Sequence, residues 1–222
     1  MKIIELYPQD ITNLMKDTNN IINIDTDGII IKYSEDTLIK LYYKNFFNAL
    51  LNPTPQTLIT ELDTKKKIEA FLTQNKGIKP LLKEMQEKII AIDKTEEQGQ
   101  IKGIITCTQY PVGVLLTNYK DYEPLNNIKD KLTTEELQKV LTTVKYLINN
   151  LAENNLYPES ITEENIIVRR KDLDVKLIGL DTKDTRLETE SYIKEFPHIP
   201  KNVEKNYQEI KKRILKKEYG NN

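Results

Sequence analysis

The chain has 222 residues, 38% of them hydrophobic and 30% charged, which suits one folded domain with a real core. Lys and Arg (33) nearly balance Asp and Glu (34), so net charge gives no argument for nucleic acid or an acidic membrane surface. A single cysteine, Cys107, and a single histidine, His198, exclude a disulfide framework or a Cys/His zinc site within one chain.

The opening residues lack the apolar run of a signal peptide, and no stretch nears the ~18 apolar residues of a membrane span. The expectation is a cytoplasmic protein with no membrane partner. Asp10 suits an N-cap and predicts a short helix after it. Ile22-Asn23-Ile24, residues 28–33 and residues 37–42 are rich in β-branched and aromatic side chains. Turn signals at Asp27-Gly28 and Ser34-Glu35-Asp36 separate them, predicting an antiparallel meander. Residues 65–73 have helical character through Ile68 and Leu72. Ile89-Ile90-Ala91-Ile92 predicts a strand, and so does 101–110. Residues 111–132, with Pro111, Gly113 and Pro124, read as a connector.

Over 134–151 the apolar residues Leu137, Val140, Leu141, Val144, Leu147, Ile148 and Leu151 recur at steps of three and four. They predict one apolar helix face. Thr133 and Glu136 form a capping box at its start. Two short strands, 165–168 and 174–178, follow around a charged turn. A last helix carries Val203, Tyr207, Ile210 and Ile214. A β-rich half precedes a helical half, which predicts an α+β fold in two segregated lobes, 1–115 and 116–222, within one domain.

Three segments, in order, carry a family resemblance. Leu38-Ile39-Lys40-Leu41-Tyr42 is similar to the protein-kinase strand bearing the phosphate-pairing lysine. Ser160-Ile161-Thr162-Glu163-Glu164-Asn165, running into Ile166-Ile167-Val168, resembles the kinase catalytic loop. Val175-Lys176-Leu177-Ile178-Gly179-Leu180-Asp181 resembles the strand entering the metal-binding turn. The chain thus resembles the protein-kinase-like superfamily over roughly residues 22–182, in the manner of a small degenerate member. The resemblance implies a two-lobed fold with a reduced helical lobe, and ATP and magnesium as cofactors. It places Lys40 on the phosphates and Asn165 on nucleotide and metal. A helical carboxylate, Glu69 or Glu61, would pair with Lys40.

The departures from the family weigh as much. Ser160 stands where the family has its catalytic aspartate, and a hydroxyl cannot take the substrate proton as a carboxylate does. Gly179 stands where the main magnesium-binding aspartate belongs. Gly28 is the only glycine of the first hairpin, so a glycine-rich phosphate loop is missing. Asp181, two residues past Gly179 and displaced by about 6.5 Å along an extended chain, is the candidate for a shifted metal ligand. Only about 40 residues follow it, too few for a full kinase substrate platform.

The leading expectation is therefore a kinase-fold protein with impaired phosphoryl transfer that acts by binding a protein partner, with a nucleotide held through Lys40 and Asn165. Its rivals are an active divergent kinase or small-molecule phosphotransferase using Asp181, and an interaction protein with no ligand cleft. The basic terminal helix reads as a solvated face, Cys107 as a core residue and His198 as a loop residue.

Overall fold

The computed structural model describes residues 2–16, 18–24, 28–42, 78–95, 100–107, 110–181 and 185–215. The chain divides into two compact units: Met1–Ile89 with Gly99–Asn118, and Ile90–Gln98 with Tyr119–Asn222. The expected 65–73 helix, with Glu61 and Glu69, lies outside the described residues.

The first unit is built on a six-stranded sheet. In chain order its elements are β1 (Lys2–Glu5), α1 (Pro8–Lys16), a 3-10 turn at Thr18–Asn20, β2 (Ile21–Ile24), β3 (Gly28–Ser34) and β4 (Thr37–Tyr42). Then come α2 (Ile78–Lys94), which runs on into the second unit, β5 (Ile101–Cys107) and β6 (Tyr110–Thr117). The sheet order is β1-β5-β6-β4-β3-β2. Strands β2, β3 and β4 form the expected meander, and among the described strands of this sheet only the β1–β5 pair is parallel. Asp10 does not cap α1 but lies in its first turn. Its carboxylate accepts from the Tyr7 N–H at 2.9 Å, a favourable charge at a helix N-terminus.

Two expectations here are corrected. Residues 89–92 are the last part of α2, not a strand. Lys88, Ile89 and Ile92 are buried while Ile90 is 38% exposed, a helical rather than an alternating pattern. The predicted connector 111–132 begins as strand β6, which pairs with both β4 and β5. Its two apparent breakers each fit. Pro111 faces Thr106 beside a register shift, where a missing N–H is tolerated. Gly113 faces Leu41, and a Cβ there would sit 2.3 Å from the Lys40 carbonyl oxygen. Leu6, Ile11, Ile29, Ile31, Ile39, Leu41, Ile105, Cys107, Val112 and Leu115 make this unit's apolar core.

The second unit contains β7 (Glu123–Pro124), α3 (Leu125–Ile128), a 3-10 turn at Lys129–Lys131 and α4 (Thr134–Glu153). It continues with β8 (Leu156–Pro158), β9 (Ile166–Arg169), β10 (Asp174–Leu177), β11 (Thr185–Leu187), α5 (Glu190–Glu195) and α6 (His198–Leu215). The strands form two small sheets, β10-β9-β7 and β11-β8. Helix α4 is the predicted amphipathic helix. The Thr133 hydroxyl accepts from the Glu136 N–H at 3.2 Å, and the Glu136 carboxylate accepts from the Thr133 N–H at 2.8 Å. Its buried stripe is Val140, Leu141, Val144, Leu147, Ile148 and Leu151.

Helix α6 buries Ile199, Val203, Tyr207, Ile210 and Ile214. The Tyr207 hydroxyl donates to the Leu141 carbonyl at 3.0 Å, and Lys145 pairs with Glu204. His198 opens this helix rather than lying in a loop, with Pro200 in the first turn, where a missing N–H costs nothing. The β9–β10 hairpin is tied by charge. Arg169 bonds Asp172 and Asp174, Lys176 pairs with Asp174, and the Tyr122 hydroxyl donates to Asp174. The whole is a mixed α+β protein, and among its described residues no helix is long and apolar enough to cross a membrane.

Candidate functional site

The loop 160–165 leaves β8 and enters β9, and it is built on a local lock. Asn165 donates its N–H to the Thr162 carbonyl at 3.1 Å. Its Oδ1 accepts from both the Thr162 N–H at 3.0 Å and the Thr162 hydroxyl at 2.8 Å. A short polar side chain bonding backbone three residues away is the usual way such a loop is stiffened. The Asn165 carbonyl in turn accepts from the Ile178 N–H at 2.8 Å, which joins the loop to the end of β10.

Gly179 follows with a φ of +75°, the left-handed region that favours glycine. A Cβ there would lie 3.0 Å from Asn165 Nδ2. An aspartate at this position would therefore meet both backbone strain and a crowded neighbour. Ser160, Asn165 and Gly179 line one cavity of about 100 Å³, together with Pro158, Ile161, Leu177, Ile178, Leu180 and Thr185. Residues of loop 160–165 and of the turn after β10 thus meet at one place. Among the described residues, the polar side chains lining that cavity are two hydroxyls and one amide, with no carboxylate.

Asp181, the candidate shifted ligand, is 3% exposed and lies at the turn just past Leu180. It is not among the residues lining the cavity. Around the loop, Glu163 receives Lys129 and Arg213, Glu159 pairs with Arg186, and the Glu159 carbonyl accepts from Asn206 Nδ2 at 2.7 Å. Helix α6 therefore holds the loop at two points.

In the first unit, Lys40 sits on β4 between Ile30 of β3 and Val114 of β6. It is 4% exposed, whereas strand lysines are ordinarily solvated. Its Nζ lies 5.5 Å from the Tyr42 ring centroid, within cation–π range. The carboxylates of α2 are Glu84, Glu87 and Asp93, all exposed, while Lys88 on the same helix is 4% exposed.

Sequence reasoning did not single out Thr162, Thr185 or Lys88. The spacing of Thr162 and Asn165, three apart in a loop, carries the signal for the first. Nothing local marks the other two. Among the described residues no group of three or more His, Cys, Asp or Glu is arranged to hold a metal ion.

No family model matches the chain, and no curated protein matches it. Among solved structures it is similar to one titled "Crystal structure of monomeric WbdD", with a TM-score of 0.37 and 10% identity. That likeness covers 80% of this chain, which spans 37% of the other.

Proposed function

We propose that this chain is a degenerate kinase-like protein whose two units correspond to a β-rich and a reduced helical lobe. In this reading it binds ATP through Lys40 and Asn165, transfers phosphate poorly or not at all, and acts by engaging a protein partner. The observation that carries the reading lies in the second unit: loop 160–165 and the turn after β10 line one cavity with no carboxylate among its described lining residues. Those are the two segments that resemble a catalytic loop and a metal-binding turn. The burial of Lys40 on β4 supports the third segment independently.

The chemistry follows from what the side chains offer. A lysine ammonium offers three N–H donors and a positive charge, which suits a phosphate oxygen. Ser160 supplies a neutral hydroxyl where a base is needed, and loss of a general base typically costs ~10²–10⁴-fold. Gly179 supplies no side chain at all. Such groups act as a unit, so their losses need not add.

Two measurements test the reading. ATP should raise the melting temperature of the wild-type protein and not that of Lys40→Ala, because a ligand that binds only the native state stabilises it. Incorporation of labelled γ-phosphate into the protein or a broad substrate panel should stay at background. Robust transfer that vanishes in both Lys40→Ala and Asp181→Ala would instead establish an active enzyme using the shifted Asp181. Absence of any nucleotide-induced shift would leave an interaction protein without a ligand site.

A further inference from the structure

We infer that the Asn165 site takes a phosphate oxygen of the nucleotide directly and recruits no divalent cation. The inference rests on the nucleotide-binding reading above and specifies how that site meets its ligand. It stands on the orientation of one amide. The oxygen of a carboxamide has two acceptor positions, and both on Asn165 Oδ1 are taken by Thr162, one by its N–H at 3.0 Å and one by its hydroxyl at 2.8 Å.

The orientation is fixed by chemistry. Rotating the amide by a half-turn would set Nδ2, a donor, against the Thr162 N–H, also a donor. The group left to the cavity is therefore Nδ2, which sits beside Gly179. An amide nitrogen carries donors and no available lone pair. Magnesium demands oxygen ligands, with carboxylates foremost, and the described residues lining the cavity supply no carboxylate. The donor set does not fit the cation that the kinase resemblance implies.

What the set does fit is an acceptor. Nδ2 presents N–H bonds at the wall of a cavity of about 100 Å³, flanked by the lining residues Ser160 and Thr185. A phosphate oxygen accepts strongly from such a donor, as charge-assisted hydrogen bonds are the stronger class. The Gly179 position reinforces this, since a Cβ there would press on Nδ2. The glycine keeps the donor uncrowded where the family's carboxylate would otherwise stand.

Calorimetric titration of the full-length protein with ATP, once in excess EDTA and once in excess magnesium, tests the inference without any variant. Equal affinity in the two buffers is the expected result. Asn165→Asp is the sharper probe, because it is isosteric, retains an acceptor for Thr162 and replaces only the cavity-facing donor by an oxygen. Its affinity in EDTA should fall by roughly tenfold or more, the worth of a hydrogen bond to a charged group, and magnesium should recover part of it. Wild-type binding that requires magnesium would overturn the inference while leaving nucleotide binding in place. So would an Asn165→Asp protein that binds normally in EDTA. A wild-type protein that binds ATP in neither buffer would fail the nucleotide reading itself, and this inference with it.

Discussion

Single side chains in this protein are governed by burial more than by type. Lys40 and Lys88 are each 4% exposed, and Asp181 is 3% exposed, although both residue types ordinarily face water. Cys107 shows the same control. Burial first, and then the nearby charges of Glu5 and Asp10, push its thiol up to about 12. Since the thiolate is the reactive form, the native protein should not react with a disulfide reagent at pH 8. Full reaction should appear only in denaturant. Rapid labelling under native conditions would show that β5 is open where it is described as buried. The sequence pointed to a core position for Cys107 from its strand context. It gave no sign that Lys40 is buried, because a lysine in a β-rich run looks the same whether its strand is an edge or the middle of a sheet. Lys40 is enclosed because β6, some 70 residues later, pairs along β4.

Among elements, α4 was the most legible. Its apolar spacing and the Thr133–Glu136 capping box lie within one stretch of chain, and the structure reproduces both. Leu141 is 2% exposed, and α6 reaches it through the Tyr207 hydroxyl, which donates to its carbonyl. Leu141→Ala should cost about 2–5 kcal/mol in chemical denaturation, the range for a large-to-small change in a packed core. The backbone bond to Tyr207 survives that substitution, so the loss would report packing alone. A loss below about 0.5 kcal/mol, the scale of a surface substitution, would place this helix face in solvent. Helix α2 was misread for a complementary reason. Three isoleucines in four residues favour a strand by propensity, but the burial of Lys88, Ile89 and Ile92 follows a helical face. Tertiary packing outweighs such local preferences.

Across the molecule, the described carboxylates held below their ordinary range are Glu136, Asp172, Asp174 and Glu204, all in the second unit. The causes differ. Hydrogen bonds from Thr133 lower Glu136, Arg169 lowers Asp172, and Lys145 with Gln208 lowers Glu204. Burial raises Asp174, but the bonds from Tyr122 and Lys176 and the charge of Arg169 outweigh it. A group whose folded pKa is depressed contributes stability above its unfolded value and loses it as pH falls through the folded value. The second unit should therefore weaken as pH drops below about 4, the ordinary carboxylate range. Asp174→Asn combined with Glu204→Gln should flatten that acid limb, followed by the amide signals of residues 119–215 in NMR. An unchanged acid limb in the double variant would show that these pairs do not set it.

The sequence alone determined the mixed α+β character, the meander, α4 with its cap, the β9–β10 hairpin and α6. Each of these is written in periodicity, turn chemistry or the order of short segments, all within a few neighbouring residues. Only the tertiary structure decided that β1 pairs in parallel with β5 across about a hundred residues, that Gly113 lies within a strand and that Lys40 is enclosed. It alone showed that Asn165 turns its oxygen to Thr162 and its nitrogen to the cavity wall beside Gly179. Strand partners and amide orientation depend on contacts remote in the chain or on the balance of donors around one atom, and neither leaves a pattern in the order of residues.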